Sequence, residues 1–531
     1  MPDVSNFSTT QVVRKRVVRA AGGVVAAQHK LAAQVGAAVL ADGGDAVDAA
    51  VATSFAIGVV EPWMSGPAGG GAMTVWREAE QRSYTVHYGM RSPQALDPAD
   101  YPLTPDGRAL DLFPWRRVVD DRNVHGAKAV AVPGVVAGMA LAHERFGRVD
   151  WPTLLQPAIG LAREGMLIDW YASLIIASAT RTLARDPDAA ALFLVDGQWP
   201  NIAGWTALSN ARLDQRRHAA TLERLAAAGA RDFYEGEVAA QIVDDVRAKG
   251  GSLSMADMAA YRATIGPTTD VGYRGGIVRA AGAFTAGPDL VHVLRLMSAS
   301  TMRAGAPDAA SYACLARALS AAYRERLASA GDNEHPQAPA CTTHFSVVDR
   351  HGNMCAVTQT LLSVFGSHTV SPSTGLLLNN GIMWFDPEPG RPNSLAPGRR
   401  CLMNVCPVIG EKDGRRFAIG ASGGRKIMPA VANLVSFMMD FGMDLEAAFH
   451  HPRIDCSGGE QVIADEDLPA DVIDALRGVH PTVTAKRSVF PYAFAVPAGV
   501  ERAGGMNAGC TEIMTPWGDV AHEDGPAPSR T

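Results

Sequence analysis

Two threonines stand together, Thr342 and Thr343, in "ACTTHFSVVDRHGNMCAVTQT", and a third, Thr360, closes the same stretch. A threonine hydroxyl attacks a carbonyl only when a base takes its proton, and neither neighbour of Thr342 is an acid or a base. The chain itself offers one solution. If the bond before Thr342 is cut, that residue gains an α-amine with an ordinary pKa of about 7.7 to 8.0, close enough to neutrality to act as base. The same hydroxyl can make the cut by attacking the Cys341 carbonyl, giving an ester that water hydrolyses. The chemistry then needs an oxyanion hole. "GASGGRK" (420–426) sets Gly423 and Gly424 between a strand and a helix start, where backbone N–H groups and the helix's positive end would serve. The alternative is that threonine is simply a favoured strand residue. Spacing alone leaves both open.

The elements around these residues read as follows. The threonine pair opens a buried strand, and a turn at Asp349–Asn353 returns the chain into a second one. "HKLAAQVGAAVLADGG" is an amphipathic helix stopped by Gly43 and Gly44. "DAVDAAVATSFAIGVVEP" is a very apolar helix with Asp45 as N-cap. "SGPAGGGAMTVWR" is a glycine turn feeding a strand, with no Lys-Ser/Thr to make it a phosphate loop. Residues 132–147 and 151–166 hold two helices, 170–262 are mainly helical, and 310–330 form one more helix. From 342 onward short β-branched runs alternate with turns, and residues 427–442 form a helix. Helices first and strands later predict an α/β protein with sheets flanked by helices. The Pro/Gly-rich stretch 386–400 has the length of a functional lid.

Composition excludes several classes. With 531 residues, 47% apolar and 19% charged, the chain is globular, either one large domain or two interlocked ones. A net charge of −6 gives no electrostatic case for nucleic acid. No uncharged apolar run is long enough to span a bilayer, and the first residues lack a signal-peptide apolar segment, so a cytoplasmic location is expected. Seven cysteines, all between Cys314 and Cys510, show no metal-ligand spacing and read as reduced core residues. His450 and His451 are adjacent and cannot face one metal on a helix. Neither a metal nor a nucleotide site is expected.

"TTHFSVVDRHGNMCAVTQT" with "GLLLNN" resembles the small-subunit start of the gamma-glutamyltranspeptidases. "GGDAVDAAVATSFAIGVVEPWMSGPAGGGAM", "VPGVVAGMALAHERFG", "PAIGLAREG" and "FYEGEVA" resemble that family's large-subunit segments, in its order. The resemblance runs from about residue 20 to beyond 450. It implies a four-layer αββα sandwich of the N-terminal-nucleophile hydrolase type. It implies two chains made by self-cleavage: 1–341, helix-rich, and 342–531, carrying the nucleophile, interlocked as one domain. These fragments form a heterodimer, with or without further dimerisation. By carry-over, Thr342 is the nucleophile, Thr360 the threonine that hydrogen-bonds it and assists processing, and Gly423 and Gly424 the oxyanion-hole glycines. A small-molecule amide is the implied substrate, and no cofactor is implied.

The residues that read a glutamyl group depart from that pattern. The family's Arg falls on Gly89, its amine-binding Asp on Trp384, its Ser-Ser pair on Met403 and Asn404, and an Asn on Leu362. Arg91 and Asp386, each two residues further on, are candidate replacements, and with Trp384 and Asn404 they make up the expected substrate-binding set. A buried zwitterion without partners costs several kcal/mol. The expectation is therefore a self-processing amide hydrolase with an altered acyl pocket, passing an acyl group through a threonine ester to water. The alternatives are a true gamma-glutamyltransferase with relocated recognition residues, and an uncleaved, non-catalytic binding relative.

Overall fold

The computed structural model describes residues 13–108, 115–202, 210–302, 305–330, 341–457 and 461–525. Fourteen strands build two large sheets: β1 (Val18–Ala20), β2 (Val24–Ala27), β3 (Gly70–Arg77), β4 (Arg82–Tyr88), β5 (Thr264–Gly266), β6 (Thr269–Tyr273), β7 (Gly276–Ala280), β8 (Cys341–Val348), β9 (Met354–Leu362), β10 (Val408–Lys412), β11 (Arg415–Ser422), β12 (Val496–Ala503), β13 (Met506–Thr511) and β14 (Asp519–His522). One sheet has the order β14-β2-β8-β9-β3-β4-β5 and the other β1-β13-β12-β11-β10-β7-β6. All pairings within both are antiparallel.

The layering follows from period-two alternation. On β2, β8 and β9, Val25, Ala27, Phe345, Val347, Cys355 and Val357 belong to a core shared with helices. Their neighbours Val24, Ala26, Val348, Met354 and Ala356 pack instead against Ile409, Ala418, Ala498 and Val500 of the other sheet. Strands apolar on both faces are buried on both faces. The helices over the first sheet include α1 (Lys30–Ala41), α2 (Ala46–Val60), α3 (Val135–Phe146) and α4 (Trp151–Glu164). Over the second lie α5 (Gly287–Ser298), α6 (Ala309–Ala330) and α7 (Ile427–Met439). The result is helix, sheet, sheet, helix, as expected.

Helix starts follow their capping residues. Asp45 caps α2 and forms a reciprocal box with Asp48, and the buried Asp45 also pairs with Arg77 at 2.7 Å. Every residue of α2 is buried, which explains its lack of a polar face. The first 341 residues are less helical than their sequence suggests. They supply seven of the fourteen strands, β1 to β7, distributed over both sheets. Apart from β3 and β4 these strands span only three to five residues, too few to show a clear alternation. The loop 386–400 is clasped to Ser92, whose hydroxyl donates to Ala396 O at 2.6 Å and accepts from Arg399 N at 2.9 Å.

Candidate active site

Even-numbered residues of β8 and β9 face the space between the sheets, and that alternation brings Thr342 and Thr360 together. The Thr342 hydroxyl donates to Thr360 Oγ1 at 3.4 Å, and Thr360 Oγ1 also accepts from Leu362 N at 2.7 Å. Both threonines are buried. The β8–β9 register shifts between Cys341 and Thr343, so Thr342 sits in a bulge at the strand mouth. Opposite Cys341 stands Leu362, in the left-handed region at φ 90°. A leucine held there costs about 1 to 3 kcal/mol, so strain lies directly across from the Cys341–Thr342 bond.

The glycine turn reaches the same place from the other sheet. β11 ends at Ser422, and Thr342, Ser422 and Gly423 line one cleft with Gln28, Glu61 and Tyr171. Gly423 has φ 130°, and a Cβ there would lie 2.9 Å from Ala495 Cα. Gly424 has φ 56° and begins the short turn that runs into α7. Position 423 requires glycine, and at both positions the missing side chain leaves nothing in front of the backbone N–H groups.

The histidine two residues beyond Thr342 is engaged elsewhere. His344 is fully buried between the sheets, its ring nitrogens 2.8 Å from Thr358 Oγ1 and 2.9 Å from Ser346 Oγ, and burial pushes its pKa down to about 3. Across the cleft the Glu61 carboxyl, at the C-cap of α2, is fully buried. Burial pushes it up to about 8 against a smaller lowering by its Thr343 hydrogen bond. Tyr171 and Tyr492 hydrogen-bond through their hydroxyls, and burial raises both phenols.

The expected substrate-reading residues divide into two groups. Leu362, Trp384 and Met403 are almost wholly buried in one apolar cluster with Met90 and Ile382. A Cβ on Gly89 would lie 2.8 Å from Met403 Cε, so the residue at 403 fills the room that a side chain at 89 would need. Arg91 lines a second cavity with His87, Gly89, Arg262, Arg400 and Met403. Arg91 and Arg400 are bridge partners on adjacent backbones, and the buried Arg91 Nε makes no hydrogen bond.

Asp386 and Asn404 are tied into the scaffold. Asp386 Oδ1 accepts from Glu388 N at 2.9 Å, and its backbone pairs with Asn393 and Leu395, which shapes the loop. Asn404 Oδ1 accepts from Arg326 Nη2 at 3.0 Å. Gln28, Glu61, Tyr171, Ser422 and Tyr492 were not singled out from sequence. They lie far apart along the chain, and only Glu61 and Ser422 fall inside motifs singled out above.

Among the described residues no group of three or more His, Cys, Asp or Glu could hold a metal ion, and no helix is long and apolar enough to cross a membrane. Cys314, Cys355, Cys401, Cys406, Cys456 and Cys510 are free, and all of these but Cys314 are buried.

Comparison with known proteins gives the following. The family model described as gamma-glutamyltranspeptidase matches residues 32–341 and 334–496. The acylase ACY 1 proenzyme of Pseudomonas sp. (strain V22) is 32% identical, over 96% of this chain and 92% of its own length. The glutathione hydrolase proenzyme of Bacillus subtilis (strain 168) is 29% identical, over 86% of this chain and 84% of its own. Among solved structures, the cephalosporin acylase from Bacillus halodurans superposes with a TM-score of 0.82 at 24% identity, covering 98% of this chain and 100% of that one. That likeness speaks for the fold.

Proposed function

Because the chain belongs to the gamma-glutamyltranspeptidase family, we propose that it is a self-processing N-terminal-threonine amide hydrolase whose acyl pocket no longer reads a free glutamyl group. One observation carries this reading. The Thr342 hydroxyl lies beside Thr360 in a cleft with Gly423, while Leu362, Trp384 and Met403 are packed together as an apolar cluster.

Processing begins when Thr342 Oγ1 adds to the Cys341 carbonyl. The Cys341–Thr342 C–N bond breaks, and the resulting ester is hydrolysed by water. This leaves a carboxyl on Cys341 and an α-amine on Thr342. In turnover the amine takes the hydroxyl proton while Oγ1 adds to the substrate's acyl carbonyl. The Gly423 and Gly424 N–H groups hold the oxyanion. The amine then gives its proton to the leaving nitrogen, and water repeats the sequence on the acyl ester. Residues 1–341 and 342–531 remain together in this reading, since β8 lies between β2 and β9 and both parts contribute to each sheet. The cytoplasm is the compartment we assign.

The name of one relative, an acylase proenzyme, favours an amide other than a gamma-glutamyl one. Arg91, near Arg400 and without a hydrogen bond to its Nε, is the group we assign to a lone carboxylate on the acyl chain. The test is N-terminal sequencing of the purified protein, followed by a screen of acyl anilides against it. A new N-terminus at Thr342 with turnover of simple acyl anilides supports the reading. An active protein with no such N-terminus overturns it.

A further inference from the structure

The second threonine of the pair has a task of its own, set by hydrogen counting. Thr343 faces the helix layer, and its Oγ1 lies 3.0 Å from Glu61 Oε2 and 3.3 Å from Gln28 Oε1. The orientation of Gln28 is fixed, because its Nε2 donates to Val496 O at 2.8 Å and to Ser422 Oγ at 2.7 Å, and a backbone carbonyl only accepts. Gln28 therefore presents its oxygen to Thr343. A threonine hydroxyl has one hydrogen, yet it stands between two side-chain oxygens. Both contacts are satisfied only if one partner donates, and of the two only Glu61 can acquire a proton. All four side chains are buried, where an unmade hydrogen bond costs about 1 to 3 kcal/mol.

This network joins three parts of the site: the end of α2, the first turn of β8 and the last residue of β11 before the glycine turn. We propose that Glu61 carries a proton in the working enzyme and, through Thr343 and Gln28, positions Thr342 against the Gly423 turn. Glu61 is thus a positioning residue, and the inference rests on the reading of Thr342 as nucleophile. The groups that face Glu61 are Thr343 from β8 and, by charge, Tyr171 and Tyr492, together with the α-amine that processing creates on Thr342. Burial holds the Glu61 carboxyl protonated until about pH 8 and pushes both phenols further up, out of that range. Above that pH Glu61 ionises, Thr343 keeps one contact of two, and positioning is lost. Activity accordingly falls on the alkaline side, the opposite sense to the α-amine, whose deprotonation raises activity.

The experiment compares wild type with Glu61→Gln, Glu61→Leu, Thr343→Val, Thr343→Ser and Thr342→Ala. Self-cleavage is read on gels, and kcat and KM for a glutaryl anilide from about pH 6 to about pH 10. Glu61→Gln supplies an N–H donor that cannot ionise, so it keeps the acid limb and loses the alkaline one. Thr343→Val lowers kcat on the order of ten- to a hundredfold with a smaller change in KM, as expected for a misplaced nucleophile, and Thr343→Ser restores it. Thr343→Val preserves side-chain volume, so it reads the loss of the hydroxyl even where Glu61→Leu fails to fold. An alkaline limb unchanged in Glu61→Gln, or wild-type kcat in Thr343→Val, overturns the inference. Turnover by Thr342→Ala overturns instead the nucleophile assignment on which it rests.

Discussion

Two corners of this molecule lie a few residues apart and are built in opposite ways. Around Thr342 a chain of hydroxyl, amide and carboxyl side chains with named partners, Thr360, Thr343, Gln28, Ser422 and Glu61, stands beside the apolar Met64, Phe494 and Val496. Leu362, Trp384 and Met403 belong to a cluster of methyls, sulfurs and rings, with the guanidinium groups of Arg91, Arg262 and Arg400 in the cavity on the Met403 side. Leu362 joins the two, donating its N–H to Thr360 while its side chain packs with Trp384 and Met403. The contrast separates, in the reading proposed above, the groups assigned to bond breaking from the positions assigned to substrate reading. A Cβ at position 89 would meet the tip of the Met403 side chain at 2.8 Å, so the two positions share one space, and the methionine tip must swing aside to admit a side chain at 89.

The comparison breaks most completely at Thr342. Thr342→Ala is expected to remain one chain on a gel and to lose at least about a thousandfold in turnover, as for nucleophile removal elsewhere. A processed, active Thr342→Ala protein would erase the distinction between the corners. Next is the glycine turn. Gly424→Val should cost on the order of a hundredfold in kcat, the usual loss for one oxyanion donor, in protein that still cuts itself. Near-normal kcat in the cut variant removes that glycine from the machinery.

The apolar corner is sharpened by a pair of substrates. Glutaryl and gamma-glutamyl anilides differ only by the α-amine, and an α-ammonium with no acceptor in an apolar pocket loses about 1 to 3 kcal/mol. The ratio of kcat/KM should favour the glutaryl compound by about tenfold or more. Preference for the gamma-glutamyl compound would show a surviving amine-binding group, and the altered-pocket proposal would fall. Smallest is Arg91→Ala. For a partly exposed guanidinium meeting a carboxylate, a loss of about 1 kcal/mol or less is expected. That is a few-fold rise in KM for glutaryl anilide and none for an uncharged acyl anilide. Equal effects on both would assign Arg91 to packing.

Much of this was legible in the chain because the informative residues are contiguous. Thr342 and Thr360 sit eighteen residues apart on paired strands, and the alternation of one hairpin places both on one face. Gly423 and Gly424 announce a backbone turn by lacking side chains. The Asp45 cap and the helices after it follow local rules and appear where expected. The short strands before Thr342 carry little signal. Val24–Ala27 is four small residues whose two faces are both apolar, so nothing alternates. The Glu61–Thr343–Gln28 network was hidden for another reason. Its contacts join residues about 280 and 315 positions apart, and no local pattern marks a carboxyl as the member that must hold a proton.

The interleaving of the sheets has a consequence for time as well as space. β8 is hydrogen-bonded to β2 and β9, β10 to β7 and β11, and β13 to β1 and β12, so strands from both sides of the Cys341–Thr342 bond stabilise one another in both sheets. A chain that folds whole and is then cut discards the connection that guided its assembly. The intact Thr342→Ala precursor regains its structure in a unimolecular reaction, whatever its dilution. The two fragments of the matured protein, once unfolded and separated, must first find each other, and each exposes unpaired strand edges while it waits. Their recovery depends on concentration and competes with aggregation, so the mature form persists by the slowness of its unfolding and not by an equilibrium it can re-enter.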